Sequence, residues 1–469
     1  MIRFLFLFLC LQCSHIYAQD WVQIGDDFDA TKAYISGNGN TVAVGGFSGN
    51  TIKVYDILDG QYVEKGQGVV NQGSIIDINE NGSRILTFEG GPIFQNPFIL
   101  RVFEFSNDEW VQLGGDISDN NPNSTFGFNS IFDNSGNRIF INTFLASPIG
   151  DPTIAEIYVY EWSGSTWQQL GNTIQKEASN YGRGADFSGD GNSFIVGTFG
   201  DGTPAISYAD VYEWDNGSWV QKGNTITNNE QDRLGWEVAI NDDGSIVAVT
   251  IIGDESAGPF TGRVETYQWQ NNDWEGFGGA VFGSFQQEQF GFSLEFDEDG
   301  DTFIAGSIEQ VNLDRQSSVK VYEINGSNWQ QKGQTISSDF EGANFGFTVS
   351  INNAGDRWAS GNHYYLSGNT GPNFAKVFQT EEFSIPAPAE ASFVVYPNPS
   401  RGEFTIFTNE LSSAFSLTVL DQLGKLIYSE EYIDESSFSL NLDLQPGFYF
   451  LRLKDKSGTP LGVEKLIVH

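Results

Sequence analysis

The sequence predicts an all-β chain in which a seven-bladed β-propeller precedes a small immunoglobulin-like β-sandwich. Three observations predict this fold. Glycine and phenylalanine are abundant (54 and 39 of 469 residues) and there is a single methionine, a composition typical of strands joined by tight turns. A short motif that contains tryptophan recurs along residues 21–336, and residues 393–469 contain short alternating strands.

The charge of the chain excludes two classes of partner. It carries 61 Asp and Glu against 23 Lys and Arg, a net charge of −38. A nucleic-acid-binding surface needs clustered Lys and Arg, and so does docking on an anionic membrane surface. Charged residues make up only 18% of the chain and aromatic residues 14%, so we expect a large core and not a disordered acidic segment.

Residues 1–18 have the features of a secretory signal peptide. Arg3 supplies the positive charge, and residues 4–11 form an apolar segment of suitable length. We expect cleavage after Ala18, which leaves Gln19 as the first residue. The apolar segment is too short to span a bilayer, and no second segment is long enough, so no membrane span is predicted. Both cysteines lie in residues 1–18, so the mature chain is expected to have no disulfide.

The tryptophan motif divides the middle of the chain into repeats. Six copies begin with tryptophan and a weaker copy begins with tyrosine, at spacings of 41 to 57 residues. Repeats of about this length with several strands each are typical of propeller blades. The copies are Trp21–Gly25, Tyr62–Gly66, Trp110–Gly114, Trp167–Gly171, Trp219–Gly223, Trp274–Gly278 and Trp329–Gly333.

Each repeat has the same order of signals between two copies of the motif. A Phe-Gly or similar pair opens an alternating segment and is followed by an Asp-Gly or Asn-Gly turn. An apolar strand such as Ile246–Val249 comes next, and then a third strand such as Val319–Glu323. Such turns between alternating segments are strong hairpin signals, so we expect four antiparallel strands, a to d, in each blade. The pairs are Phe126-Gly127, Tyr181-Gly182, Leu234-Gly235, Phe290-Gly291 and Phe345-Gly346.

The order of the repeats also predicts how the ring closes. The tryptophan strand d pairs with the strand c that precedes it, but the first copy, Trp21–Gly25, has no preceding strand c. The last strand c, near residues 375–378, has no following strand d. We therefore expect Trp21–Gly25 to complete the last blade, which leaves no open edge in the ring.

The repeat resembles the FG-GAP-type propeller repeat. The resemblance is clearest in residues 290–306 and 345–361, where Phe-Gly, an acidic or amide turn with glycine, and a later small residue with glycine follow in order. The first two units lack the Phe-Gly pair, so a six-bladed propeller remains an alternative. Repeats of this type occur in adhesion modules, lectins and scaffolds, so the resemblance does not by itself define a function.

The C-terminal part of the chain is predicted to be a separate domain. Residues 381–392 are rich in proline and alanine and are expected to form a stiff linker after the propeller, residues 19–380. Seven short strands follow in residues 393–469, a pattern typical of an immunoglobulin-like sandwich.

Residues 393–469 are similar to the C-terminal sorting domain of the type IX secretion system of Bacteroidota. The resemblance implies two partners, the type IX machinery and the sortase that processes this domain. It also implies a protein that is secreted or held on the outer cell surface. The matching residues include Tyr396, Pro397, Asn398, Pro399, Gly402, Gly424, Lys425, Gly447, Tyr449 and Lys465.

The sequence predicts no catalytic residue and no metal site. The mature chain has only His363 and His469, no Gly-x-Ser-x-Gly elbow and no histidine cluster for zinc. Acidic turns such as Asp297–Asp301 and Asn241–Gly244 resemble calcium loops, but calcium needs about six to eight oxygen ligands from one enclosure. Because these turns are short, the hairpin interpretation is favoured over calcium binding, and no cofactor is predicted.

The connections between strands b and c are long and variable, and they carry aromatic residues. Variable loops on a rigid scaffold are where binding normally occurs, and aromatic side chains stack on sugar rings or anchor proteins. The candidate ligand-binding residues are Phe144, Phe199, Tyr208, Phe260, His363, Tyr364 and Tyr365.

We therefore expect a secreted or cell-surface propeller that functions in binding, adhesion or scaffolding of a glycan or protein ligand, and that is not an enzyme. Two alternatives remain: an enzyme that acts on an extracellular polysaccharide through carboxylates on the loop face, and a structural surface protein that associates with itself.

Overall fold

The computed structural model describes most of the chain in two compact units, one spanning Trp21–Thr380 and the other including Glu381–His469. The predicted signal peptide with its Ala18–Gln19 cleavage site and the predicted linker 381–392 lie outside the described residues. These are 20–46, 51–69, 73–90, 98–119, 124–127, 129–145, 154–177, 181–198, 207–227, 233–256, 258–308, 317–340, 342–363, 371–380, 393–408, 415–421, 426–432, 437–442, 444–455 and 460–469.

The unit Trp21–Thr380 is built from antiparallel sheets, and seven are found in its described residues. The first three contain β2 (Lys32–Ile35), β3 (Thr41–Gly45), β4 (Lys53–Leu58) and β5 (Gln61–Glu64); β6 (Ser74–Ile78), β7 (Arg84–Glu89), β8 (Ile99–Ser106) and β9 (Glu109–Gln112); and β10 (Ser130–Phe132), β11 (Arg138–Leu145), β12 (Ile154–Trp162), β13 (Trp167–Gln169) and β14 (Ile174–Glu177). The fourth and fifth contain β15 (Ala185–Phe187), β16 (Ser193–Thr198), β17 (Tyr208–Asp215), β18 (Ser218–Gln221) and β19 (Ile226–Thr227); and β20 (Leu234–Ile240), β21 (Ile246–Ile251), β22 (Arg263–Gln270) and β23 (Asp273–Phe282). The last two contain β24 (Ser293–Phe296), β25 (Thr302–Ser307), β26 (Ser318–Asn325) and β27 (Asn328–Ser337); and β28 (Thr348–Ile351), β29 (Arg357–Gly361), β30 (Ala375–Thr380) and β1 (Trp21–Phe28).

The seventh sheet joins the two ends of this unit. Strand β1 pairs antiparallel with β30, and Trp21 lies opposite Thr380. The backbone of Trp21 also exchanges two hydrogen bonds of 2.8 Å with the side-chain amide of Gln334 in the sixth sheet. The predicted closure by the first tryptophan strand is therefore confirmed.

The third and fourth sheets differ from the expected four-strand unit because their last strand is divided in two. Strands β13 and β14 both pair with β12, and β18 and β19 both pair with β17. The last strand of each of these sheets is interrupted at a glycine, Gly171 or Gly223, and both glycines have a φ of 74°. A left-handed residue breaks the regular pleat. In the fifth and sixth sheets the strand continues through this point with a shift of register.

The first strand of each sheet is the innermost, and these strands contact one another in sequence around the ring, from β2 through β28 and back to β2. The turn after each innermost strand donates a backbone hydrogen bond to the next turn. Among the described residues these bonds form a closed circle, at 2.8 to 3.2 Å: Asn38 to Glu80, Glu80 to Asn134, Asn134 to Gly189, Asp190 to Asp242, Asp242 to Glu298, Glu298 to Asn353, and Asn353 to Gly37.

The repeated tryptophans form a second circle near the outer strands. In most copies the indole N–H donates to the backbone carbonyl three residues after the tryptophan of the preceding copy. In the weaker copy the Tyr62 hydroxyl donates in the same way, and Trp329 reaches Phe277 through the Thr266 hydroxyl. The bonds are Tyr62 to Ile24, Trp110 to Lys65, Trp167 to Leu113, Trp219 to Leu170, Trp274 to Lys222, Trp329 to Thr266 with Thr266 to Phe277, and Trp21 to Lys332.

The glycine that ends each motif is required by this second circle. At Gly278, φ is 68°, and an added Cβ would overlap the indole ring of Trp329 in the next sheet. Glycine allows both the left-handed backbone and the close approach of the ring. The motif Trp-x-x-x-Gly is therefore a latch between adjacent sheets.

The acidic turns are hairpins closed by their own side chains. The oxygen of the residue after each innermost strand accepts backbone N–H groups four or five residues later; the Asp297 carboxylate accepts from Asp301 and Thr302, at 3.1 and 3.0 Å. Asn241 makes equivalent bonds at 2.9 and 2.8 Å to Ser245 and Ile246. These oxygens accept hydrogen bonds from the backbone of their own turn, as expected for hairpins.

The aromatic or aliphatic member of each Phe-Gly pair is part of the core between sheets. The side chains at these five positions are at most 1% exposed: Phe126, Tyr181, Leu234, Phe290 and Phe345. Burial of residues this large is a major source of stability for the ring.

The C-terminal unit contains two antiparallel sheets. One has the order β31 (Phe393–Tyr396), β32 (Glu403–Thr408) and β35 (Ser437–Asn441). The other has the order β34 (Leu426–Tyr432), β33 (Phe415–Asp421), β36 (Gly447–Asp455) and β37 (Pro460–Val468). Side chains from both sheets, including Phe404, Ile406, Leu417 and Leu451, form one core.

Candidate functional site

Three of the predicted ligand-binding residues lie in the described part of the ring. Tyr208 begins β17 and is half-buried, with its ring 5.9 Å from that of Tyr181. Phe260 is 38% exposed and has a φ of 51°. His363 follows β29 and lies 4.7 Å from the ring of Phe347. They belong to the fourth, fifth and seventh sheets, so the structure does not make them one compact cluster.

The other predicted ligand-binding residues are not tested by the structure. Phe144 lies in β11, but the structure does not describe its side chain. Phe199, Tyr364 and Tyr365 lie outside the described residues altogether.

The structure reveals a row of large side chains of which the sequence reasoning identified only His363. It consists of Arg183, Trp236, Phe292, Phe347 and His363, and we call it the aromatic crescent. The Arg183 guanidinium lies 4.7 Å from the Trp236 ring, and the ring-to-ring distances that follow are 5.3, 5.2 and 4.7 Å. The Trp236 indole also donates to the backbone carbonyl of Phe292 at 3.2 Å. The crescent therefore crosses four sheets as one contact chain.

The position of the crescent follows from the repeat. Arg183, Trp236, Phe292 and Phe347 each come directly after the glycine of a Phe-Gly pair. Because every innermost strand runs in the same direction through the ring, these residues lie at the same end of the ring. Arg183, Phe292 and Phe347 come just before β15, β24 and β28, and Trp236 lies near the start of β20. Connections between strands b and c return to this end too, and His363 is part of one of them. The large residue after each repeated glycine was the signal that could have identified this row.

The middle of the innermost strands surrounds a cavity of about 210 Å³. Its described lining includes eight carboxylates and no Lys, Arg or His. Four of these acids, Asp77, Asp186, Glu237 and Glu295, lie on the innermost strands β6, β15, β20 and β24. We call them the channel acids.

Burial raises the pKa of every channel acid. The pKa rises to about 7 for Asp77 and Asp186 and to about 8 for Glu237, and the pKa of Glu295 lies well above its ordinary value. The charges of neighbouring acids add to the effect, since Asp77 and Asp186 both raise the pKa of Glu295. Backbone N–H donors oppose it: Asp77 accepts from Ile78 and Phe132, each at 2.7 Å. Burial outweighs these hydrogen bonds.

The turns after the innermost strands form a polar rim at the other end of the cavity. Glu80, Asp242 and Glu298 supply three carboxylates to the rim, and Asn134 donates to the Asp242 carboxylate across Gly189. An added Cβ at Gly189 would overlap both side chains. Burial also raises the pKa of Asp242, to about 6. The channel is therefore acidic from its middle to its rim, with the aromatic crescent at the opposite end.

Neither the acids nor the turns form a recognisable metal centre. Within the described ranges, no group of three or more His, Cys, Asp or Glu side chains is arranged to hold a metal ion. In the same residues, no helix has the length and apolar character needed to cross a membrane.

Asn398 and Ser400 of the C-terminal unit hold its last strand in place. The Asn398 side chain donates to the Lys465 carbonyl and accepts from the Ile467 amide at 2.9 Å. Ser400 continues this contact, accepting from the His469 amide and donating to the Ile467 carbonyl at 3.0 and 2.7 Å. Asn398 therefore holds β37 on the side opposite its partner strand β36.

Other residues of the predicted sorting motif have structural roles in the same unit. Gly402 has a φ of 96°, and an added Cβ would overlap the Leu442 carbonyl. The Tyr449 hydroxyl donates to the Gln445 carbonyl at 2.9 Å. Tyr396 is 71% exposed, and the Lys465 ammonium lies 3.9 Å from the centre of the Phe448 ring. Gly424 and Lys425 lie outside the described residues.

Comparison with known families identifies the C-terminal unit. Residues 394–469 match the family model described as "Secretion system C-terminal sorting domain". This domain indicates export of the chain to the cell surface or beyond, and it implies contact with the secretion machinery. The earlier resemblance of residues 393–469 to a type IX sorting domain is thus confirmed. No curated protein matches the sequence.

Several solved structures resemble the chain in overall form. A Kuenenia stuttgartiensis hydrazine synthase is 13% identical, with a TM-score of 0.49 over 79% of this chain and 99% of that one. A β-propeller domain of Cps50 (Swd1) from Myceliophteria thermophila is 8% identical, with a TM-score of 0.47 over 77% and 98%. A putative 6-phosphogluconolactonase from Bacteroides uniformis is 10% identical, with a TM-score of 0.46 over 96% and 100%. None of these likenesses indicates a function for this chain.

Proposed function

We propose that the protein is a seven-bladed β-propeller of FG-GAP-like repeats that is exported by the type IX system of a Bacteroidota cell and binds an extracellular ligand without catalysis. Residues 1–18 are its signal peptide and residues 393–469 its immunoglobulin-like sorting domain. The sorting-domain match supports the export route. Two seven-membered circles of hydrogen bonds, one at the turns and one at the tryptophans, support the blade count.

The aromatic crescent carries the proposal of a binding site. It places half-buried Trp236, Phe347 and His363 at the end of the ring where the variable connections between strands b and c return. Tryptophan and phenylalanine rings bind the apolar faces of sugars or anchor protein side chains. A glycan or a protein loop at this end of the ring is therefore the ligand class that the residues fit.

The four channel acids by themselves do not provide the pair of groups that glycosidase chemistry needs. Hydrolysis of a glycosidic bond uses one protonated carboxyl group and one ionised carboxylate at a set separation. The pKa values of Asp77, Asp186, Glu237 and Glu295 are all raised by burial, so their environments do not separate an acid from a base.

A glycan array and extracellular protein fractions, probed with the purified exported chain, test the binding proposal. We expect a ligand whose affinity falls at least about tenfold in Trp236→Ala, because an aromatic hot spot contributes about 2 kcal/mol or more. Phe282→Ala, which changes an exposed ring on the outer strand β23, is the matched control and should bind normally. Equal affinity in both variants contradicts the crescent as the site. Turnover of a polysaccharide that is lost in Glu237→Gln contradicts the absence of catalysis.

The export route has a separate test. A chain that lacks residues 393–469 is expected to accumulate in the periplasm, whereas the full chain reaches the cell surface or medium. Efficient secretion of the shortened chain contradicts the sorting role of the C-terminal unit.

A further inference from the structure

The channel acids are half-buried carboxylates that line one cavity, and the described lining of that cavity contains no Lys, Arg or His. Asp77, Asp186, Glu237 and Glu295 come from four different sheets and surround the same cavity. The charge of Asp186 raises the pKa of Glu237, and the charges of Asp186 and Asp77 raise the pKa of Glu295. Several ionised carboxylates in one enclosure repel strongly, since the cavity screens charge far less than water does.

The groups that surround the channel acids supply little positive charge. Arg183, at the start of β15, favours the ionised form of Glu237, but burial has the larger effect on that pKa. Lys32 on β2 has its pKa lowered by burial to about 8, and its ammonium donates to the Ile75 carbonyl at 3.4 Å. His363 has its pKa lowered by burial and by the charge of Lys32.

Apart from Lys32, the remaining inner strands add only neutral groups, and the turns after the inner strands add acids. On β2, burial and the charges of Asp77, Glu295 and Glu237 raise the pKa of the Tyr34 hydroxyl, so Tyr34 stays neutral. Strands β10 and β28 carry no ionisable residue of their own. The turns that follow add the acids Glu80, Asp133, Asp190, Asp242, Asp297 and Glu298.

We propose that the channel acids are neutral carboxylic acids in the folded protein. Folding of the ring then takes up protons, so the ring is more stable in acid than at weakly alkaline pH. A neutral carboxyl group still accepts backbone N–H groups through its lone pairs, as the two oxygens of Asp186 accept from Phe187 and Ile240, each at 2.8 Å. It also removes the repulsion across the cavity. The channel thereby makes the stability of an exported protein depend on the pH outside the cell.

The direction of the pH dependence follows from the raised pKa values. In the unfolded chain the pKa values of these groups lie near their ordinary 3.8 and 4.5. In the folded ring the pKa is raised to about 7 for Asp77 and Asp186 and to about 8 for Glu237, and the pKa of Glu295 is also raised. Between these limits the folded state binds more protons than the unfolded state, so stability falls as pH rises. The loss is expected from about pH 4 to about pH 8.

Thermal unfolding of the full chain between pH 5 and pH 8 tests the proposal. We expect the melting temperature of the natural protein to fall by more than about 5 °C over this range. The variant Asp77→Asn, Asp186→Asn, Glu237→Gln, Glu295→Gln mimics the neutral acids, so its melting temperature should change much less and exceed that of the natural protein at pH 8. Glu109→Gln, an exposed acid on β9, is the control and should keep the natural slope. A natural protein whose melting temperature is independent of pH, or a variant with the same slope, overturns the proposal.

An infrared measurement keeps the test independent of whether the fourfold variant folds. The natural protein at pH 6 should show the carbonyl band of protonated carboxyl groups, and each single amide variant should weaken it. Absence of that band at pH 6 overturns the proposal. So does a melting temperature at pH 8 that rises selectively on addition of Na⁺ or Ca²⁺ and is unaffected by the same ions in the variant, because a bound cation would then replace the protons.

Discussion

Each of the two units contains a strand from near one end of the chain, β1 in the ring and β37 in the C-terminal unit. These two strands are held in different ways. In the ring, β1 pairs with β30 along most of its length and is fixed further by the Trp21 indole and Gln334. In the C-terminal unit, β37 pairs with β36 on one side, and its other side is held by Asn398 and Ser400. The closing strand β1 of the ring is held by many repeated contacts. The side of β37 that faces away from β36 is held by a single turn, which contains Asn398 and Ser400. The ring should therefore tolerate the loss of one hydrogen bond but not of one strand.

The largest expected effect is the loss of the closing strand. Removal of residues 20–28 leaves β30 as an unpaired edge and removes the Trp21 latch to Lys332. Unpaired backbone and lost core contacts should lower the melting temperature by more than about 10 °C. Val22→Ala, which changes an exposed side chain of the same strand, serves as the control. An unchanged melting temperature in the shortened protein would mean that closure does not stabilise the ring.

A smaller effect is expected from a methyl group inside one latch. Gly278→Ala places a Cβ against the Trp329 indole at a residue whose φ is 68°. Strain and overpacking should cost about 2 to 3 kcal/mol in the free energy of unfolding, measured by denaturant titration. Gly276→Ala is the matched control, because the same strand offers open space there. Equal losses in the two variants would contradict the latch role of the motif glycine.

The clasp of the C-terminal unit should depend on one side chain. Asn398→Ala removes both hydrogen bonds to β37 and should cost about 1 to 3 kcal/mol locally. Hydrogen exchange of the Ile467 amide should accelerate about tenfold or more, while amides of the ring stay protected. Asn441→Ala, which removes an exposed contact to Glu403, is the control. Unchanged exchange at Ile467 would show that the β36 ladder alone holds the last strand.

The smallest effect is expected from one latch in the ring. Tyr62→Phe removes the hydroxyl that donates to the Ile24 carbonyl at 2.5 Å and should cost about 1 kcal/mol. The neighbouring Tyr55, whose ring lies 6.2 Å from that of Tyr62, is a control for ring packing through Tyr55→Phe. A loss well above 3 kcal/mol in Tyr62→Phe would contradict a closure that is distributed over many contacts.

The ring could be predicted in detail because its signals are local and repeated. Each motif fixes a turn or a strand, and the unpaired copy at Trp21 requires a partner at the other end of the unit. The weak copy at Tyr62 was also identified, and the structure shows why it suffices: the phenolic hydroxyl donates where the other copies use an indole. The broken last strands of the third and fourth sheets were not predicted, since the effect of Gly171 and Gly223 depends on the register with the neighbouring strand.

The candidate sites were harder to predict because they depend on which repeats meet. Alternation indicates that Asp77 and Asp186 share a face of their strands, but only the closed ring brings them around one cavity with Glu295. Trp236 and Phe292 occupy a variable position of the repeat, so their contact can be recognised only when the packing of adjacent sheets is known. The sequence directed attention to the loop aromatics, of which Tyr208 and Phe260 lie in different sheets.

The pairing of Trp21 with Thr380 means that the ring has no unique starting point. The two residues lie opposite each other, so a short peptide between them would make the backbone of the ring continuous, and new termini could be opened in a connection between two other sheets. Such a circular permutant would keep every blade-to-blade contact while relocating both attachment points.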